Sequence, residues 1–483
     1  MIKLIKNELV KIFSKKSMIV IGILIVMLVI GINVMGKISV NMSNSYPAYT
    51  DNYINYIEEE LKGLDPNKPS DVNKYVEVKS QKDVADIAKN YTEISWQAEV
   101  IETVIAPIIG EINNYTYVDK NESKLAESRE KYNEMIKALK ENDWKYFATK
   151  ELENVNLQIG ELNLLIEQDK ENESLQLQLK SLELQKEVVT LRLEKDIKYG
   201  SEDYKSLAIQ RYRMYMESYN QYAINKNITD EEKTDMNNNL KEANLYKYDI
   251  YNNTEYQNTA TANYTFQNSI TSYIVIIVMV IVIVAGISVS EEFNKGTVKL
   301  LLVRPYSRTK ILISKLISVF ITMIITTISI LALQFVVGGI VYGFETYAMQ
   351  VLEFDFTSNS IVTLNIFAYL GLMFICKLPI FILIGTLAFA LSTIFLNSPL
   401  AIALPIFGYM GSDMINMLAI TYKWDWVKYF VTPNWDLSQY LFGGTPMFKG
   451  TSVEFSITIC AIYFVIMLAI SIISFKKRNI KNV

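Results

Sequence analysis

The chain has 483 residues, half of them hydrophobic, with 47 Lys and Arg against 51 Asp and Glu and a net charge of −4. It has no histidine, which excludes the usual zinc sites, a Ser-His-Asp triad and a Cys-His pair. Its two cysteines, Cys376 and Cys460, both sit in apolar runs, so a disulfide framework is excluded as a folding device.

Residues 1–16 place Ile2, Ile5, Leu9, Ile12 and Phe13 at spacings of three and four, with lysines on the other face. The pattern predicts an amphipathic helix lying in a membrane interface, the alternative being a plain basic flank. Residues 17–36 carry the charge-free run Ser17–Met35, about the 20 residues that cross a bilayer. This run is too long for the apolar core of a signal peptide and no small-residue cleavage site follows, so it reads as a retained anchor.

Residues 37–269 are different in kind. From Lys37 to Asn268 there are 28 Lys and Arg against 41 acids, a net −13, while the rest of the chain is net +9. Leu152, Val155, Ile159, Leu162 and Ile166 recur at helical spacing, as do Leu175, Leu179, Leu182, Val189 and Leu193. The apolar-free "EQDKENES" between them predicts an antiparallel helical hairpin. Tyr204, Tyr212, Tyr215, Tyr219 and Tyr222 follow, either as packing residues at helical spacing or as a ligand platform.

Residues 270–290 form a second span around Thr271–Val289, and residues 316–475 hold four more, near Leu316–Val341, Leu364–Phe395, Pro399–Ile420 and Ser456–Ser474. A tryptophan-rich stretch near 421–453, with Trp424, Trp426 and Trp435, reads as short helices on or dipping into a leaflet. Residues 476–483 are a basic tail. The N-terminal segment, the tail and residues 291–315 are lysine- and arginine-rich, and six spans put all three on one side. The positive-inside rule makes that side cytoplasmic and residues 37–269 extracellular. The expected fold is an all-α membrane protein with six transmembrane helices and a large helical, partly coiled-coil extracellular domain between spans one and two.

The loop 291–315 carries the chemistry. Glu291 and Glu292 follow the second span, Gly296 permits a sharp turn, and Thr297 can cap a short helix "VKLLLV" that ends at Arg304-Pro305. Ser307 can cap the next helix. Glu292, Gly296, Thr297, the run Leu300, Leu301 and Leu302, then Arg304, Pro305, Ser307 and Arg308, resemble the cytoplasmic loop of ABC-2 type transporter permeases. The layout of interfacial helix, six spans and long first outside loop is similar to that family over about half the chain; the outside domain is larger than in simple members.

The resemblance implies the permease subunit of an ATP-driven exporter. Glu291, Glu292, Gly296, Thr297, Leu300, Leu301, Arg304, Pro305 and Arg308 would contact a separate ABC ATPase subunit. A second permease, identical or related, would complete the transporter. The chain has no Gly-x-x-x-x-Gly-Lys-Ser/Thr, so ATP and Mg belong to the partner, with no cofactor, metal or catalytic site expected here. The cargo would be amphiphilic, such as an antimicrobial peptide, a lipid or a drug, in a bacterial cell membrane; lipid is a partner and nucleic acid is not. The competing class is a non-transporting, membrane-anchored receptor or secretion-apparatus scaffold.

Two charges fall inside spans, Lys377 in the fourth and Asp413 in the fifth. Each lies about 15 residues, roughly 22 Å, from the cytoplasmic end of its span. Intramembrane charges are costly, and equal depth predicts that these two pair, within one subunit or across a dimer seam. The alternative has Asp413 facing an outer vestibule while Lys377 snorkels.

Overall fold

The computed structural model describes residues 1–43, 46–225, 228–297 and 306–478. The chain divides into two compact units, Met1–Lys37 with Thr259–Val483, and Ile38–Asn258.

The membrane unit begins with α1 (Ile2–Phe13) and α2 (Lys16–Ser43). Among the described residues six helices are long and apolar enough to cross a membrane, the first being Lys16–Ser39. The remaining elements of this unit follow the large insertion. They are α12 (Ala262–Gln267), α13 (Ser269–Ser288), α14 (Ser290–Asn294), α15 (Arg308–Tyr342), α16 (Ile366–Phe395), α17 (Ser398–Thr421) and α18 (Val453–Lys477).

Helix α13 is the centre. Tyr273, Ile277, Val280, Ile281, Val284 and Ala285 are all buried, so it is apolar and covered nearly all round. Helices α15, α16 and α17 pack against it, and α18 packs on α16. Gly286 lets α17 approach closely: a Cβ there would lie 2.7 Å from Ile402 Cγ1.

One element departs from the all-α expectation. Val351–Asp355 and Ser360–Leu364 form an antiparallel hairpin, β1–β2, with Val351 opposite Leu364. Leu364 therefore closes a strand, and the following helix starts at Ile366, capped by Asn365, whose side chain accepts from Phe367 N. The 421–453 stretch holds short 3-10 turns at Asp425–Tyr429 and Leu437–Gly443.

The second unit is helical, with α3 (Asp51–Lys62), α4 (Val72–Ala88), α5 (Trp96–Val100), α6 (Ala106–Tyr117), α7 (Glu122–Lys140), α8 (Trp144–Gln168), α9 (Glu173–Lys195), α10 (Tyr204–Ile224) and α11 (Asp230–Asn252). Helices α8 and α9 pack together and cover the two heptad runs, with Asn172 capping α9 in the polar turn. One core gathers Trp96, Ile101, Ile105, Trp144 and Phe147, and another Val188, Ile209, Tyr212, Tyr246 and Ile250. Of the tyrosines in the α10 run, Tyr212 is fully buried, Tyr204 donates to Asp249 and to the Tyr256 carbonyl, and Tyr215 stacks on Tyr246. These three pack, as helical spacing allows.

Candidate functional site

The ends of the 291–315 loop meet in a charged block. Helix α14 continues α13, and its N-terminus is pinned from two sides. Ser290 N donates to Ser392 Oγ at 3.1 Å, and the hydroxyls of Ser290 and Ser398 lie 2.7 Å apart. Two residues on, Glu292 is only 5% exposed. A carboxylate so far out of water needs opposite charge. Lys315 supplies it at 2.7 Å and Lys11 supplies a second ammonium.

Lys315 belongs to the buried face of α15, where Ile311, Leu312, Ser314, Lys315, Leu316, Ser318 and Val319 recur at helical spacing. It is 2% exposed and donates also to Glu8, at 2.9 Å. Glu291 is half-buried and takes Lys15 and, at 2.7 Å, Lys295. The block therefore ties α1 to both ends of the loop.

Helix α1 contributes directly to this block. Sequence periodicity puts its apolar residues inward and its lysines outward. Leu4 is buried, Ile12 packs on the membrane unit's core, and Lys3 and Lys6 are exposed, while Glu8, Lys11 and Lys15 reach Lys315, Glu292 and Glu291. The counter-charges at Glu291, Glu292 and Lys315 lie roughly 300 residues away in sequence.

The other predicted loop residues fall as follows. Gly296 has φ +67, the left-handed region where glycine is unstrained, and makes the turn. Thr297 Oγ1 donates to the Glu292 carbonyl at 3.4 Å. Ser307 caps α15, accepting from Lys310 N. Arg308 donates to the carbonyls of Lys476 and Arg478, both at 3.1 Å, satisfying the end of α18 with a cation. Leu300, Leu301, Leu302, Arg304 and Pro305 lie outside the described residues. Thus Glu292 and Arg308 are engaged by their own chain, and Gly296 and Thr297 are the exposed members.

The predicted Lys377–Asp413 pair does not form in this chain. Lys377, 7% exposed, is bonded instead to Asp436, whose other oxygen accepts from the backbone and side chain of Ser438. Depth alone was an insufficient criterion. The inward face of α17 carries Ala401, Pro405, Ser412, Asn416 and Ala419, which turns Asp413 outward among exposed Met410, Met414 and Met417. The stretch between α17 and α18 folds back and brings the closer carboxylate.

Sequence reasoning also missed a buried polar clamp. Asn33 and Gln334 exchange amide hydrogen bonds at 2.9 and 3.0 Å. Tyr273 donates to Gln334 Oε1 at 2.7 Å, and Tyr342 to the Asn33 carbonyl at 2.9 Å. Every member is paired, and the clamp joins α2, α13 and α15. The available signal was two amides inside charge-free spans, where a polar group needs a partner.

Six long apolar helices among the described residues, one of them buried at the centre of the others, define the class: an all-α multi-pass membrane protein with a small β-hairpin. More particularly, the chain belongs to the DUF2705 family, described as a protein of unknown function, which it matches over residues 237–481. It is similar to YhcI of Bacillus subtilis (strain 168), an uncharacterized protein, with 35% identity over 202 residues, 42% of this chain and 64% of that protein. It is also similar to the uncharacterized membrane protein YdbK of the same strain, with 26% identity over 200 residues, 41% of this chain and 76% of that one. The match thus spans somewhat less than two thirds of YhcI. No solved structure matches.

Proposed function

We propose that this chain is the membrane subunit of an ATP-driven exporter of the ABC-2 type, working in a bacterial cell membrane with a separate ATPase and a second permease. Both termini would lie in the cytoplasm and residues 37–269 outside. The cargo would be an amphiphile such as a peptide, a lipid or a drug. No catalytic role falls to this chain, and ATP with its Mg would be bound by the partner.

The observation that carries this reading is the charged block. Lys315 and Glu292 join the two ends of the 291–315 loop, and α1 closes over them through Glu8 and Lys11. A loop with free ends dissipates an applied push in its own hinges. A loop whose ends are locked to one another passes it to α13 and α15 together. That is what a coupling element needs.

The test is purification of the full chain from its native membranes, with and without Leu301→Asp and Arg304→Glu. An ATPase subunit that accompanies the wild type and is lost from both variants, while the chain stays folded, supports coupling. The large helical unit with its own cores favours a second reading, a membrane-anchored scaffold. If no ATPase accompanies the chain, or if both variants retain it, the transport reading falls and the scaffold reading stands.

A further inference from the structure

A groove runs along the membrane unit between α2, α13 and α15. Phe13, Ile21, Gly22, Val26, Val280 and Ile330 are among its walls, and it encloses about 410 Å³. That is within the ~300–1,000 Å³ of small-molecule sites. Its depth comes from missing side chains: a Cβ on Gly22 would meet nothing within 4 Å. Thr326 and Ser329 add two short walls opposite.

The groove has a length and a polar end. From Met18 to Val26 it follows α2 for about 12 Å at 1.5 Å per residue, close to the ~15 Å of one leaflet's hydrocarbon. Its walls are mostly side chains of α2, α13 and α15 only a few residues apart, leaving less room than the ~10–12 Å of a helix with side chains. A second helix does not fit, and an alkyl chain does. Met18 lines both the groove and the charged recess of Glu8, Lys11, Lys15, Ser288, Glu291 and Lys315, so the charges lie beside one end of the apolar channel.

Those charges are unbalanced. Within the block, Lys11, Lys15, Lys295 and Lys315 face Glu8, Glu291 and Glu292. Lys16, at the start of α2, and Lys3 and Lys6, farther along α1, are exposed and make no ion pair among the described residues. A cationic head group is repelled there, a neutral or zwitterionic one gains little, and an anionic phosphate is complementary.

We propose that this groove is a binding site for an anionic glycerophospholipid, one acyl chain lying between α2, α13 and α15 and the phosphate facing the lysines of α1 and the start of α2. The site stands whether or not the chain transports anything, so its failure and that of the transport reading are separate.

The full chain, purified in detergent and stripped of lipid, is titrated with phosphatidylglycerol or phosphatidylcholine and read by native mass spectrometry. One phosphatidylglycerol is retained in preference to phosphatidylcholine. Gly22→Phe, which fills open space, abolishes retention of both. Lys16→Gln and Lys6→Gln, both exposed, weaken phosphatidylglycerol by about fivefold each and leave phosphatidylcholine unchanged. Val465→Phe, on the exposed face of α18, changes neither. Equal retention of the two lipids, wild-type retention by Gly22→Phe, or an equal loss in Val465→Phe overturns the proposal.

Discussion

Replacing Lys315 with methionine tests the charged block directly. Its ammonium lies 2.7 Å from Glu292 Oε1 and 2.9 Å from Glu8 Oε2, and its side chain is 1% exposed. Methionine has similar length, so packing is nearly kept and the charge is removed. Glu292 then retains only Lys11, whose side chain is 45% exposed, and Glu8 loses the one ion pair described for it. One-sided removal of a buried partner costs about 3–5 kcal/mol, because the remaining carboxylates stay out of water without compensation. Lys11→Met removes a solvated ammonium from the same carboxylate and costs about 0–1 kcal/mol. The gap between the two variants is the prediction. The measurement is reversible unfolding of the full chain in mixed micelles, with proteolysis of α1 as a local readout. Glu8→Gln added to Lys315→Met recovers part of the loss, a non-additivity expected only of groups in contact. If Lys315→Met unfolds within about 1 kcal/mol of Lys11→Met, the block is not a desolvated network and the reasoning fails.

Three further outcomes follow from the geometry. Gln334→Leu leaves the Asn33 amide and the Tyr273 hydroxyl short of partners and costs about 1–3 kcal/mol, whereas Asn33→Leu with Gln334→Leu costs less than the two single changes added; the same unfolding assay decides. Asp436→Leu strands the buried Lys377 and costs about 3–5 kcal/mol, while Asp413→Leu stays within about 0.5 kcal/mol, and exchanging Lys377 and Asp413 rescues neither. In the second unit, burial holds the Asp249 carboxyl above its ordinary range despite bonds from Tyr204 and Thr254. A raised acid favours the folded state when protonated, so this contribution is full below the ordinary carboxylate pKa and is lost as pH rises through the raised value. Hydrogen-exchange protection of α11 therefore falls over that window in the wild type, and Asp249→Asn flattens the profile; an unchanged profile refutes the assignment.

The number of apolar helices, the acidic insertion and the heptad runs under α8 and α9 were legible in the sequence. These are local properties. Twenty apolar residues find no stable place in water, and a 3.5-residue period needs a facing partner wherever it falls. Ser307 as a cap and Gly296 as a turn were legible for the same reason, since each acts within a few residues of itself.

What the sequence could not decide was rotation and partnership. A helix surrounded by lipid and other helices has no single dry face, so hydropathy does not say which way Asp413 points. Only the packing of α17, with Pro405, Ser412 and Asn416 inward, settles that. Lys377 waits on a carboxylate 59 residues away, delivered by a stretch read as lying at the membrane edge. Lys11 and Lys15 read as part of a solvated basic face and also close a block with Glu292 and Glu291, because burial of one charge recruits its opposite from wherever the fold brings it. Local chemistry determined which segments became helices and which of them were apolar enough for a membrane. Long-range electrostatics, available only once those helices were packed, determined which charges met.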